Sequence, residues 1–398
     1  MSSSRPFACW RCDKALEGGT CIAGEPVAPV QTLALNGYEG DRIAAFTAAR
    51  TLTVFAQQDP SPGRSVRASP AASYRDDLDR QDLALLRGMS ALSQLAVAGE
   101  SGAEWCLAVD HRGDSAGFLC LAPCGASECR KACETCSPAT RPALAVQGCQ
   151  ASDGECEKLA LYVDSERSAI VGKWIEAGGQ VHDLPLPAEL YPGATPVVLR
   201  AQRADKTSFV VAAARSGSAV PWLALVGGQP LSVTSGPAPD QSEQATVLEI
   251  AGAAADGGDA EGEMLLAWIW SDGGKQQLSV AQAAWSSANE ISPLATVFER
   301  TLSGEGRVSV AFAHYGLAAS ARSAGEGGWT VAFRDGKQAF ALRVDRSSAE
   351  GTLPTVRQTD ADVGEFVVAP HPAGSAGSSP FVYIDRSDMQ ARVQACKP

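Results

Sequence analysis

The sequence predicts an all-β fold built from seven repeated units, each of four antiparallel strands. The first observation is a phrase, Leu-x-(Leu/Val/Ile)-x-Gly, that recurs along the chain every 49 to 62 residues. An apolar hairpin follows each copy, and glycine, aspartate and serine fill the hairpin turns. A period of about fifty residues, with apolar and polar residues alternating as in β-strands, is typical of sheets arranged around an axis. The copies begin at Leu33, Leu95, Leu144 and Leu248, with weaker ones at Val197, Val308 and Phe366.

Each copy predicts an inner strand A, and the two apolar stretches after it predict strands B and C. In the first unit these stretches are residues 43–46 and 51–55, and in the fifth they are 264–268 and 277–280. The turns between them contain residue types that tolerate the left-handed backbone of a short hairpin. A fourth strand D follows in most units, for example at 180–184.

The last unit ends with its strand C, so its fourth strand must come from elsewhere or an edge stays open. Residues 22–30 precede the first copy and have no other assignment, and we expect them to close the ring. A disulfide between Cys21 and Cys396 would fasten this closure. Over residues 25–396 the repeat resembles seven-bladed β-propellers of four-stranded antiparallel blades.

Three segments depart from the repeat. Residues 1–24 form a Cys-rich N-terminal extension to the 25–398 propeller, and 122–141 form a Cys-rich insertion. Residues 57–91 are interpreted as an insertion between the first two blades. A short helix is predicted at 76–87, because leucines recur there with partly helical spacing.

The twelve cysteines indicate disulfides and an oxidising, extracytoplasmic compartment. Besides Cys21–Cys396, we expect Cys106–Cys120 across one hairpin, centred on Gly113. We also expect Cys149–Cys156 around a polar loop. Spacing does not decide the pairing of the other six, which are Cys9, Cys12, Cys124, Cys129, Cys133 and Cys136. The alternative is a zinc site, since two C-x-x-C pairs offer the thiolates of Cys9, Cys12, Cys133 and Cys136.

Charge limits the classes of partner. A net charge of -12 and a pI near 4.9 argue against nucleic acid and anionic membranes, which attract basic surfaces. No apolar run approaches the roughly 18–20 residues that span a membrane. No signal peptide is visible before Cys9, so the extracytoplasmic assignment depends on the cysteines.

Catalytic and metal motifs are weak, and no cofactor is expected. The run Gly-Asp-Ser-Ala-Gly at 113–117 matches G-x-S-x-G, but Ser115 is predicted at a hairpin tip and not between a strand and a helix. The acidic residues of the fifth A–B loop could offer oxygens to calcium, although the interpretation as a solvated loop is favoured. They are Asp256, Asp259, Glu261 and Glu263.

Two short runs suggest a glycan connection. Residues 271–275 are similar to an Asp-box of the sialidase type, and 335–337 are a poorer copy. That resemblance implies glycan handling, while the Arg cluster and the Tyr/Glu pair of sialidase chemistry have no counterpart assigned in this chain.

The favoured hypothesis is therefore a non-enzymatic, extracytoplasmic scaffold that binds a protein or a glycan through loops on one face. The loops in question join strands A and B of units five to seven, at 252–263, 314–328 and 370–380. One alternative is a carbohydrate-active enzyme with paired carboxylates in the central funnel, where Glu249 and Glu365 are candidates. Another is a structural subunit of a cell-surface assembly.

Overall fold

The regular structure of the described residues consists of β-strands. The computed structural model describes residues 10–12, 21–23, 31–32, 42–48, 51–57, 68–74, 80–83, 92–100, 103–110, 118–123, 130–131, 139–149, 155–201, 208–227, 231–236, 245–255, 262–286, 290–313, 327–346, 355–358, 363–368, 381–385 and 390–394. Within these ranges no helix is long and apolar enough to cross a membrane.

The strands are numbered in chain order. The first are β1 (Trp10–Cys12), β2 (Cys21–Ala23), β3 (Gln31–Thr32), β4 (Arg42–Ala48), β5 (Thr51–Gln57), β6 (Ala68–Tyr74), β7 (Arg80–Leu83), β8 (Leu92–Glu100), β9 (Ala103–Asp110), β10 (Phe118–Pro123) and β11 (Arg130–Lys131). Next come β12 (Ala139–Gln147), β13 (Glu157–Asp164), β14 (Ala169–Ile175), β15 (Val181–Leu184), β16 (Val197–Ala201), β17 (Ser208–Ala213), β18 (Trp222–Gly227) and β19 (Ser232–Ser235). The last are β20 (Thr246–Ala255), β21 (Gly262–Asp272), β22 (Lys275–Trp285), β23 (Ala295–Thr301), β24 (Gly306–Ala313), β25 (Gly328–Asp335), β26 (Gln338–Asp345), β27 (Thr355–Gln358), β28 (Val363–Val368), β29 (Phe381–Asp385) and β30 (Gln390–Gln394).

From β3 onward, these strands form four-stranded antiparallel sheets. Neighbours in a sheet are neighbours along the chain, except that β3 pairs with β30. The orders are β4–β7, β11-β10-β9-β8, β12–β15, β16–β19, β20–β23, β24–β27 and β28-β29-β30-β3. One strand of each sheet contacts its counterpart in the next sheet, in the series β4, β8, β12, β16, β20, β24 and β28, and β28 contacts β4. Sheets whose inner strands follow one another around an axis make a β-propeller, so each sheet is one blade.

The last blade is closed by a strand from before the first unit, as predicted, but by a different segment. Strand β3 pairs with β30 through Gln31 and Thr32, whereas residues 22–30 were expected to do so. Pro26 and Pro29 lie in the expected segment and have no amide N–H for a strand ladder, which disfavours strand pairing there. Cys21–Ala23 instead pairs with Trp10–Cys12 in a separate two-stranded sheet.

The first blade corrects a second prediction. Strand β4 comes first in this sheet, so the stretch at 43–46 is strand A rather than strand B. Segment 57–91 is not an insertion between blades, because it supplies β6 and β7 as the third and fourth strands. The predicted helix is wrong at Arg80–Leu83, which is a strand. Pairing with β6 overrides a weak local helical pattern there. The Cys-rich segment 122–141 likewise contains β11, the fourth strand of its blade.

Apolar side chains fill the spaces between neighbouring blades. Trp174 of β14 packs edge-on against Phe209 of β17, with ring centroids 5.3 Å apart. Trp329 of β25 donates its indole N–H to the carbonyl of Ala253 in the preceding blade, at 2.9 Å. Burying a side chain such as Phe209 stabilises the fold by about 1.5–3 kcal/mol. The core therefore lies between sheets and fixes each blade against the one before it.

Polar side chains near the inner strands add links between blades. The side chain of Gln147 accepts a hydrogen bond from the backbone N–H of Ser208 at 3.3 Å. The hydroxyl of Ser309 accepts one from the N–H of Val368 at 3.0 Å. Buried backbone groups need such partners, so these side chains set the register between adjacent blades.

The disulfide prediction is confirmed at Cys149–Cys156, whose Cα atoms are 4.2 Å apart. Cys106 and Cys120 are both disulfide-bonded, but they do not face each other as the hairpin symmetry predicted. The register places Cys106 opposite Ala122 and Cys120 opposite Ala108, because the hairpin is centred on residue 114 and not on 113. None of the cysteines in the part of the chain that the structure describes is free.

Other cysteine predictions stay open. Cys12 lies opposite Cys21 in the β1–β2 pair. The cysteines outside the described residues are Cys9, Cys124, Cys129, Cys133, Cys136 and Cys396. The Cys21–Cys396 closure is therefore still a prediction.

Candidate functional site

A cleft of about 520 Å³ lies between the β20–β23 blade and the β24–β27 blade. It lies where β21 begins and β22 ends, and the next blade adds the residue directly after β26. A volume of this size is within the range of about 300–1,000 Å³ that is usual for small-molecule sites. Its lining includes Gly262, Glu263, Trp285, Ser286, Glu290 and Arg346, and Ala284, Ile291, Ser292 and Pro293 complete it.

The floor of the cleft depends on a glycine. Gly262 pairs with Trp285 across β21 and β22, and a Cβ atom at position 262 would lie 2.0 Å from Cζ2 of the indole. The ring therefore occupies the space that any other residue at 262 would need.

The turn after β22 is held by two backbone hydrogen bonds, from Ser286 N–H to the Glu290 carbonyl at 2.9 Å and from Ser292 N–H to the Ala284 carbonyl at 2.8 Å.

Trp285 is 2% exposed, and its indole N–H has no hydrogen-bond partner among the residues that the structure describes. The hydroxyl of Ser286 next to it is also buried without a partner. By contrast, Trp268 donates its N–H to the carbonyl of Ala219 at 2.7 Å, and Trp329 donates to Ala253. An unpaired buried donor costs about 1–3 kcal/mol and is rare in native structures. Two of them side by side in a cleft mark a place where a partner is expected.

An ion pair spans the two blades at the mouth of the cleft. Arg346 Nε lies 2.7 Å from Glu263 Oε2, with side chains that are 12% and 41% exposed. The backbone N–H of Arg346 donates to the carbonyl of Gly327 at 3.0 Å, and this bond holds the backbone of Arg346 in place. Glu290 adds a second carboxylate to the lining and is exposed. At neutral pH these three side chains carry a formal charge of about −1.

The predicted calcium loop reaches this cleft with one residue. Glu263 is described and is paired with Arg346, while Asp256, Asp259 and Glu261 lie outside the described residues. For the zinc alternative, only the backbone of Cys12 is described. Among the described residues there is no group of three or more His, Cys, Asp or Glu side chains that could hold a metal ion.

The carboxylate candidates of the enzyme hypothesis lie elsewhere. Glu249 on β20 accepts a hydrogen bond from the N–H of Val308 at 3.2 Å, and Arg307 Nη1 is 3.5 Å from its other oxygen. This carboxylate joins two blades. Glu365 is part of β28, and its side chain is outside the described part. Ser115 is also outside it, but antiparallel β9 and β10 on either side confirm the predicted hairpin.

The two Asp-box-like runs are turns at the far ends of their hairpins from the cleft. Residues 273 and 274 are glycines with φ of 59° and 89°, which close the β21–β22 hairpin. Asp335 is buried at the end of β25, where it accepts hydrogen bonds from the hydroxyl of Ser303 at 2.7 Å and from the N–H of Gly304 at 3.2 Å. Arg300 Nη2 lies 3.3 Å from its second oxygen. Asp335 therefore fastens the loop between two blades.

No protein-family model matches the chain, and no curated protein sequence matches it. Among solved structures, a mutant Aleuria aurantia lectin in complex with Fucalpha1-6GlcNAc is similar at 11% identity and a TM-score of 0.45, over 93% of this chain and 98% of the lectin. The Dos1 propeller has 8% identity and a TM-score of 0.43, over 90% of this chain and 93% of that one. YCF48 bound to D1 peptide has 12% identity and a TM-score of 0.41, over 93% and 98%.

Proposed function

We propose that this protein is an exported, disulfide-stabilised β-propeller of seven blades that binds glycans through the cleft at Trp285. The observation that carries the proposal is the buried indole N–H of Trp285, in a cleft bordered by the Glu263–Arg346 ion pair. Within the described part of the chain this N–H has no hydrogen-bond partner. The disulfide Cys149–Cys156 supports export, since such bonds persist in oxidising compartments.

The chemistry of the lining favours a hydroxyl-rich ligand. Trp285 and Arg346 offer only donors, the carboxylates of Glu263 and Glu290 offer only acceptors, and Ser286 offers both. A ligand group that donates and accepts at the same time suits all of these partners, and a sugar hydroxyl is such a group. In the free protein the Trp285 nitrogen is covered, so a ligand has to displace the atoms that cover it to reach this donor.

Binding is favoured over hydrolysis. A glycosidase needs a pair of free carboxyl groups about 5–10 Å apart. Glu249, one of the two carboxylates that the sequence suggested, is engaged by Val308 and Arg307 between two blades. Of the two carboxylates that line the cleft, that of Glu263 is paired with Arg346, so the cleft does not offer two free carboxyl groups.

A comparison of two tryptophan variants on an oligosaccharide array tests the proposal. In W285F the aromatic ring stays and the unpartnered N–H is lost, so we expect glycan binding to weaken about tenfold, the value of one hydrogen bond of about 1.4 kcal/mol. W268F is the matched control, because it removes an N–H that is bonded to Ala219 and lies outside the cleft lining. Equal weakening in both variants would contradict the site. An array without any bound oligosaccharide would contradict the function.

A further inference from the structure

We infer that the cleft selects uncharged saccharides and that the Glu263–Arg346 pair is the element that makes this selection. The inference rests on the proposed glycan binding and names the class of glycan. It follows from two observations, which are the balance of charge around the cleft and the way in which the ion pair is bonded.

The charge around the cleft disfavours acidic ligands. Its lining includes two carboxylates, Glu263 and Glu290, and one guanidinium, Arg346. The whole chain carries a net charge of -12, so its overall field adds no long-range attraction for anions. A carboxylate on a sugar would meet like charges at short range, where repulsion is strongest. A neutral sugar meets no such penalty.

The ion pair keeps hydrogen-bonding capacity for a ligand. Arg346 uses Nε and Glu263 uses Oε2 in their 2.7 Å contact. A guanidinium has further N–H donors on its two η nitrogens, and a carboxylate has a second oxygen. Two neighbouring sugar hydroxyls match this arrangement, since one donates to the carboxylate and the other accepts from the guanidinium. Bonds of this kind to charged groups are stronger than those between neutral groups.

The pair is held in place before a ligand arrives. Glu263 lies on β21, where it pairs with Ala284 of β22, and Arg346 is anchored through its N–H to Gly327. The two residues therefore come from different blades, and the ligand is expected to bridge them. Groups already fixed in their binding positions lose little conformational freedom on binding, which sharpens discrimination between similar ligands.

Titration calorimetry with matched sugar pairs tests the inference. The probes are the methyl glycosides of glucose, galactose and mannose, each beside the methyl glycoside of its uronic acid. For the wild-type protein we expect one or more neutral glycosides to bind at least tenfold more tightly than the matching uronide. In E263Q we expect the neutral sugar to bind about fivefold more weakly and the preference to fall below threefold.

Glu166→Gln is the control, because Glu166 is exposed on the β13–β14 turn and its change alters net charge equally. The same loss of preference in E166Q would show a general charge effect and overturn the role of the pair. Uronides that bind as tightly as the neutral sugars would overturn the inference while leaving glycan binding in place. If neither the array nor these glycosides bind, the proposed function and the inference both fail.

Discussion

Two adjacent blades have the same strand order but differ in the length and burial of their strands. In the β16–β19 blade, β17 and β18 have six residues each, and every one of them is buried. In the β20–β23 blade, β21 and β22 have eleven residues each, and both strands reach exposed positions at their shared hairpin turn. Residues of both blades contribute to one apolar cluster. The shorter blade is thus almost entirely core, while the longer one extends beyond it.

This difference shows where function can be placed on a propeller. A six-residue strand that is buried along its whole length has no exposed position that could contact a ligand. The longer hairpin keeps Leu266 and Trp268 in the core and still presents Gly262, Glu263 and Trp285 at its end. The longer strands therefore leave room for the proposed site while the packing between the blades is kept.

The largest expected effect is in the core of the short blade. Phe209→Ala should lower the free energy of unfolding by about 3–5 kcal/mol, because it removes a fully buried ring that packs on Trp174. Leu248→Ala on β20 is the matched change in the long blade and should cost less than about 1 kcal/mol, since Leu248 is 38% exposed. Urea unfolding followed by fluorescence measures both. Similar losses in the two variants would contradict the contrast between the blades.

A smaller effect is expected at the two hairpin turns that resemble an Asp-box. Asp335→Asn should cost about 1.5–3 kcal/mol, because the charged acceptor for Ser303, Gly304 and Arg300 is lost. Asp272→Asn in the long blade should change stability by less than about 0.5 kcal/mol, since Asp272 is exposed. Thermal unfolding of both variants gives the comparison. A large loss in D272N would mean that this turn also fastens a neighbouring blade.

The next effect is at the glycine beneath the tryptophan. Gly262→Ala should cost about 1–3 kcal/mol and abolish binding in the cleft, because the new Cβ would overlap the indole of Trp285. Gly236→Ala at the end of the short blade is the control, since its Cβ would be 3.5 Å from the nearest atom and make ordinary contact. We expect Gly236→Ala to stay within about 0.5 kcal/mol of the wild type. Normal glycan binding by G262A would contradict the role of the indole.

The repeat and its hairpins could be predicted from the sequence because alternation and turn residues are local signals. Which stretch forms the inner strand of the first blade could not be predicted. The phrase at Leu33 matches the repeat, although β4 is the first strand of that sheet. Glu263 was singled out for calcium, because its acidic neighbours are visible in sequence while its partner Arg346 is on another blade. Trp285 was missed for a related reason. Its lack of a hydrogen-bond partner is a property of the folded chain and leaves no trace in residue spacing.

The smallest expected effect is on the stability at alkaline pH, and it distinguishes the buried hydroxyl of Tyr162 from the indole N–H of Trp285. Burial first, and then the charges of Asp164 and Asp183, raise the pKa of Tyr162 from 10.0 to about 12. Between those values the folded protein keeps a proton that the unfolded chain loses, so this contribution to stability is complete below pH 10 and falls as the pH rises. By pH 11 the loss should be about 1 kcal/mol. Tyr162→Phe should remove this part of the alkaline decline, which urea unfolding from pH 9 to pH 11 measures. An identical decline in both proteins would show that Tyr162 does not cause it, whereas W285F should leave the slope unchanged because an indole does not titrate in this range.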